Sequence, residues 1–111
     1  MIELISEKIG NAATVRISGR IDADTSKALE DACGKWAAEG EKVLILDFSK
    51  VRYISSWGLR CILTIGKTMD AQGGRMITCG LSAMVKEVFQ ISGFDGLFKT
   101  YPTMDAALAS V

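Results

Sequence analysis

Val43-Leu44-Ile45-Leu46-Asp47-Phe48-Ser49, followed by Val51-Arg52-Tyr53-Ile54-Ser55-Ser56-Trp57-Gly58-Leu59, says most about how this chain folds. Val43 to Leu46 are consecutive aliphatic residues without polar alternation, the pattern of a strand covered on both faces, as in the centre of an α/β sheet. After Asp47 the spacing predicts a short connection. Leu59, Ile62, Leu63, Gly66 and Met69 then recur at helical spacing and form one apolar stripe, closed by Gly73-Gly74. A buried strand feeding an amphipathic helix is half of a β-α-β unit, so a parallel neighbour is expected.

Outward from this unit the alternation continues. Toward the N-terminus, Ile2, Leu4 and Ile5 read as a half-buried edge strand, and Gly10-Asn11 turns the chain into a cleaner strand over Ala13 to Ser18. Gly19-Arg20-Ile21-Asp22 leaves that strand. Asp24 is placed to cap a helix carrying Thr25, Ala28, Leu29, Ala32, Cys33 and Trp36, ended by Gly40. Toward the C-terminus, Met76 to Cys79 form a strand, Ser82 caps a helix through Val85, Val88 and Phe89, and Gly93 supplies its left-handed stop. Leu97-Phe98 read as a short strand, and Thr103 caps a last helix with Ala106, Ala107 and Leu108. The order β-β-α-β-α-β-α-β-α implies an α/β fold: a mostly parallel mixed sheet of about five strands with four helices, and the first strand antiparallel at one edge.

The chain has 111 residues, which fits one domain spanning residues 1–111, without linkers, repeats or low-complexity tracts. A chain of this size buries roughly 65% of its unfolded surface, enough for a core without staples. Lys+Arg and Asp+Glu number 13 each, and the sequence pI is ≈ 6.2, so no bulk field favours nucleic acid or anionic lipid. With His at 0, neither a Ser-His-Asp nor a Cys-His nucleophile system can be built, and no His metal ligand exists. Cys33, Cys61 and Cys79 are odd in number and far apart, and read as reduced, buried thiols of a cytoplasmic protein. No window approaches the roughly 20 apolar residues of a membrane span, and the start lacks a signal peptide's basic flank.

Few motifs carry chemistry. Gly66-Lys67-Thr68 imitates the end of a phosphate-binding loop, but the required glycine five residues earlier is Cys61, and the tripeptide falls inside a helix. Asp22, Asp24 and Asp47 lie near strand ends, where α/β ligands collect, but helix capping and turn chemistry are the favoured explanation for short acids there, and a carboxylate cluster for metal is the weaker one. Ser55-Ser56 is the informative pair. Following Tyr53-Ile54 and opening a helix, Ser55 is a natural N-cap and Ser56 falls at the first helical position. The same geometry, with unpaired amides and a positive dipole end, accepts a phosphate without breaking the fold. Trp57 is either a ring packed on neighbouring loops or an aromatic anchor in a protein interface. Gly58 permits close approach of backbone to the adjacent loop or to a partner.

These motifs, in this order, resemble the STAS domain proteins, in particular bacterial anti-sigma factor antagonists. Gly19-Arg20-Ile21-Asp22 is similar to the family's G-x-[LIV]-D, and Asp47-Phe48-Ser49 to its D-[LF]-S exit from the central strand. Ser55-Ser56-Trp57-Gly58-Leu59 resembles the signature [DS]-S-[SAT]-G-L. Val85 to Phe94 and Tyr101 to Leu108 look like the family's last two helices and their connection. The chain departs at two places: Ser55 stands where many members have Asp, and Trp57 where a small residue is usual.

The resemblance implies a partner switch rather than an enzyme, with no cofactor and no metal. Ser56 maps to the phosphoacceptor, with Ser55 as a competing acceptor, and Asp22, Asp24, Ser55, Ser56, Trp57, Gly58 and Arg60 form the partner-binding set. The implied partners are an anti-sigma serine kinase of the histidine-kinase-like ATPase type and a serine phosphatase, with the antagonist a monomer or weak dimer. Unphosphorylated antagonist would capture the anti-sigma protein, and phosphorylation would release it. Two alternatives remain open on the sequence: an unphosphorylated STAS subunit of a transport complex, such as a lipid transporter, and a small-ligand sensor using the strand-end loops and Asp22.

Overall fold

A computed structural model describes residues 1–111. Strand β1 (Ile2–Ile9) turns through Gly10 and Asn11 into β2 (Ala12–Ile21), and Gly10 adopts the positive φ of 58° that this tight turn needs. There follow α1 (Ser26–Ala38), β3 (Val43–Ile54), α2 (Ser56–Ala71), β4 (Arg75–Cys79), α3 (Ala83–Ser92), a single 3₁₀ turn (Phe94–Gly96), β5 (Lys99–Tyr101) and α4 (Met104–Ala109). The sheet order is β1-β2-β3-β4-β5, with β1 antiparallel to β2 and every other pair parallel. The expected fold class and element order are those observed.

The strand centred on Ile45 is covered on both sides. Leu44, Leu46 and Phe48 enter the larger core with Leu29, Ile62, Met69 and Phe89, whereas Ile45 turns to a smaller one with Ile77, Met104 and Ala107. Phe48, Phe89, Phe94 and Phe98 extend the larger core as a relay of edge-to-face rings with centroids 5.4–5.6 Å apart. Ser82 and Thr103 cap α3 and α4 through the Val85 and Ala106 amides, at 3.2 and 3.1 Å, and Gly93 ends α3 at φ 77°. Each of these follows the sequence expectation.

Three expectations are corrected. The connection expected after Asp47 is strand: β3 runs on to Ile54, pairing Lys50, Val51, Tyr53 and Ile54 with Ser18, Gly19, Arg20 and Ile21. Register shifts in β2–β3 pairing give Phe48, Val51 and Ile54 a buried spacing of three, so the period-2 signature is missing from a true strand. The last strand is Lys99–Tyr101, not Leu97-Phe98: Leu97 is exposed at the end of the 3₁₀ turn, and Phe98 serves the aromatic relay. Asp24 does not cap α1. The cap position is Thr25, whose side chain makes no capping bond, because the turn into α1 is closed by Asp22 instead.

Candidate functional site

The β2–β3 pairing builds the site. Ile21 lies opposite Ile54, so the two chains leave the sheet side by side, and the Ser55 amide donates to the Ile21 carbonyl at 2.9 Å. The loop holding Asp22 and Asp24 therefore meets the start of α2, as the sequence placed both at strand ends. Gly58 makes this closeness possible. A Cβ there would lie 2.9 Å from Ile21 Cγ2 and 3.0 Å from the Ile21 carbonyl carbon, and nearer still to its oxygen. Gly58 is buried against β2, so its part in the site is the approach itself.

At the start of α2 the two serines differ. Ser55, half-buried with extended backbone at φ −83° and ψ 172°, accepts the Gly58 amide on Oγ at 3.0 Å. This is the N-cap read from the sequence, a bond that contributes about 1 kcal/mol. Ser56 is the first helical residue, is exposed, and its hydroxyl makes no hydrogen bond within the protein.

Asp22 organises the facing loop. One carboxylate oxygen accepts the Asp24 amide at 3.0 Å and the Thr25 amide and hydroxyl at 3.2 Å each, and the other lies 3.6 Å from Arg20 Nε. Partial desolvation pushes this carboxyl up, but the bonds from Asp24 and Thr25, with the Arg20 charge, outweigh it and hold it below its ordinary value. Asp24 stays exposed. Asp47 sits apart, accepting the Ser49 amide at 2.9 Å, and the three carboxylates form no metal-binding group. Turn closure accounts for Asp22, and Asp47 satisfies the Ser49 amide where the β2–β3 register shifts within the strand.

Two aromatic rings flank the serines, each under a guanidinium. Trp57 is 54% exposed, with Arg60 Cζ 5.1 Å from its ring centroid, and Tyr53 is 40% exposed, with Arg20 Cζ at 4.3 Å. Tyr53 and Arg20 were not among the residues the sequence singled out. Their signal was present, since Arg20 is part of the Gly19–Asp22 motif, but the bulged register that pairs them is not readable from spacing. A cavity of about 380 Å³, lined by Leu63, Lys67, Arg75, Met76 and Phe98, lies beside the C-terminal half of α2, away from Asp22, Asp24 and Ser55–Arg60. Ser56, Trp57, Arg60 and Tyr53 are exposed, so the surface around Ser56 carries hydroxyl, aromatic and cationic groups, and no helix of the protein is long and apolar enough to cross a membrane.

Cys33, Cys61 and Cys79 are free and buried, and burial pushes each thiol up to about 12, so they take no part in this surface.

Comparison with known proteins places this arrangement. The candidate anti-sigma factor antagonist BtrV of Bordetella bronchiseptica is 31% identical over 109 residues, covering 98% of this chain and 94% of BtrV. The anti-sigma-F factor antagonist RsfB of Mycobacterium tuberculosis is 29% identical over 99 residues, covering 89% and 80%. The crystal structure of an anti-sigma factor antagonist from Mycobacterium paratuberculosis superposes with a TM-score of 0.90 at 29% identity, covering 100% of this chain and 94% of that one. Residues 3–107 match the STAS domain, and with the five-stranded sheet and the serine-bearing start of α2 the chain belongs to the STAS domain family.

Proposed function

We propose that this protein is a cytoplasmic anti-sigma factor antagonist that switches partners by phosphorylation of Ser56. The observation that carries the reading is the division of labour between neighbouring hydroxyls: Ser55 is tied to the Gly58 amide as a cap, while Ser56 is exposed and unengaged. The names borne by BtrV and RsfB support the antagonist role. The exposed Trp57 and Tyr53, each paired with an arginine, supply the kind of residues that anchor protein interfaces.

The partner is an anti-sigma factor that is also a serine kinase of the histidine-kinase-like ATPase type. The Ser56 oxygen attacks the γ-phosphorus of ATP, the Oγ–P bond forms, and the bond to the β,γ-bridging oxygen breaks. ADP leaves with that electron pair, and the hydroxyl proton passes to a base on the kinase. The product carries about −1.5 to −2 charges where a neutral hydroxyl had been, and the interface built on that hydroxyl is lost. A serine phosphatase hydrolyses the ester and restores binding. The antagonist acts as a monomer or weak dimer and has no catalytic group of its own in this cycle.

Incubation with the kinase and ATP tests the reading. Intact mass should rise by one phosphate in wild type and in Ser55→Ala, and stay unchanged in Ser56→Ala. Phosphate retained in Ser56→Ala and lost in Ser55→Ala would move the acceptor to Ser55. As a binding test, Ser56→Ala should retain the kinase in a pull-down and Ser56→Glu should lose it. Equal retention by both baits, or retention only of transport subunits, would overturn the switch.

A further inference from the structure

Arg60 has no carboxylate partner anywhere in the protein: its guanidinium rests on the Trp57 ring, 5.1 Å from the centroid. Arg20, the other arginine at this site, is already held by Asp22 and by the Tyr53 ring. Along α2, Arg60 is three residues from Trp57 and four from Ser56, so both lie within its reach, with about 5–6 Å between Cβ atoms. Helical side chains lean toward the N-terminus, which points Arg60 back at both residues. A guanidinium on an exposed indole is weakly held, whereas one facing a dianionic phosphate gains two charge-assisted hydrogen bonds in fork geometry.

We infer that Arg60 is a two-position side chain, resting on the Trp57 ring when Ser56 is unmodified and moving to the phosphate when Ser56 is phosphorylated, so that modification uncovers the indole face. This deepens the switch proposed above and rests on Ser56 being its acceptor. Phosphorylation then changes the partner surface twice, adding charge at residue 56 and removing the cation that covers the neighbouring aromatic anchor. The departure of this chain from a small residue at position 57 gives that second change something to act on. Arg60 is a positioning residue in this scheme; it touches the modification but takes no part in making it.

The test uses the full chain with phosphoserine genetically encoded at position 56, so it needs no kinase. In the unmodified protein the Arg60 side-chain proton resonances should be shifted upfield by the Trp57 ring current, and Trp57→Leu should abolish that shift. With phosphoserine at 56 they should move downfield, toward the Trp57→Leu positions. The midpoint of the phosphate ³¹P titration, ordinarily about 6, should lie roughly 0.3–1 pH unit lower in this protein than in its Arg60→Gln variant, an exposed cation favouring the dianion. Arg60 resonances that stay upfield beside the phosphate would overturn the inference. An equal midpoint in Arg60→Gln, or a shift lost in Arg20→Gln instead, would do the same. If the kinase fails to modify Ser56 while the encoded phosphate still captures Arg60, the acceptor assignment fails and the intramolecular contact stands. A kinase-modified Ser56 with Arg60 still on the ring would reject the inference alone.

Discussion

Replacing a helical glycine by alanine should act in opposite directions at two positions of this protein. Gly34 lies within α1, exposed, and a Cβ there would meet nothing within 4 Å. Gly34→Ala should therefore yield only the backbone-entropy gain of a better helix former, about 0.5–1 kcal/mol. Gly58 lies in the first turn of α2, where the same Cβ would press on the Ile21 carbonyl. Relief requires α2 and β2 to separate, overpacking that costs about 1–3 kcal/mol. The separation also strains the Ser55 amide bond to Ile21 and the Gly58 amide bond to Ser55, each contributing about 1 kcal/mol. Set against the helix-propensity gain, Gly58→Ala should be net destabilising by about 1–3 kcal/mol. Near this chain length 1 kcal/mol corresponds to about 4 °C in Tm, so Gly58→Ala should melt about 4–12 °C below wild type and Gly34→Ala about 2–4 °C above it. Urea unfolding followed by circular dichroism, with an unchanged m-value, would measure both. A Gly58→Ala protein as stable as wild type, or shifts of the same sign at both glycines, would refute the close-approach reasoning.

Ser55→Ala should lose about 1 kcal/mol with the N-cap, while Ser56→Ala should stay within about 0.5 kcal/mol of wild type; equal urea midpoints for the two would contradict the assigned division of roles. The buried thiols predict a stability that falls in alkali. Each is held near 12 when folded against an ordinary 9.0, so the unfolded chain releases these protons first and stability declines as pH rises above about 9. A chain with all three cysteines changed to alanine should lose less of its own stability between about pH 8 and about pH 10 than wild type does, and identical losses would reject the burial account.

How much was legible follows from the kind of information each feature needs. The Val43–Leu46 run, the stripe from Leu59 to Met69, and the caps Ser55, Ser82 and Thr103 are local patterns, and the structure keeps each. The second half of β3 was not legible, because the bulged pairing with β2 replaces the period of two by Phe48, Val51 and Ile54. Leu97-Phe98 looked like a strand because it is apolar, but that apolarity serves Phe94 and the rings beyond it. Asp24 looked like a cap because aspartate before a helix commonly is one, yet α1 begins one residue later, with Thr25 at the cap position, and it is the Asp22 carboxylate that accepts the amides of the entering turn.

The α/β class, the element order, the serine pair at a helix start and the resemblance to STAS domains are all readable along the chain. All of these are carried by hydrophobic periodicity and short motifs within a single segment. Which serine is tied and which is free, the contact of Gly58 between α2 and β2, and the seats of Arg20 and Arg60 over Tyr53 and Trp57 emerge from the three-dimensional packing. The reason is that periodicity fixes the face a side chain occupies, whereas hydrogen-bond partners and stacked rings depend on register and on reach across space. At this site the register is set by irregularities in the β2–β3 ladder, which leave no periodic trace in the chain.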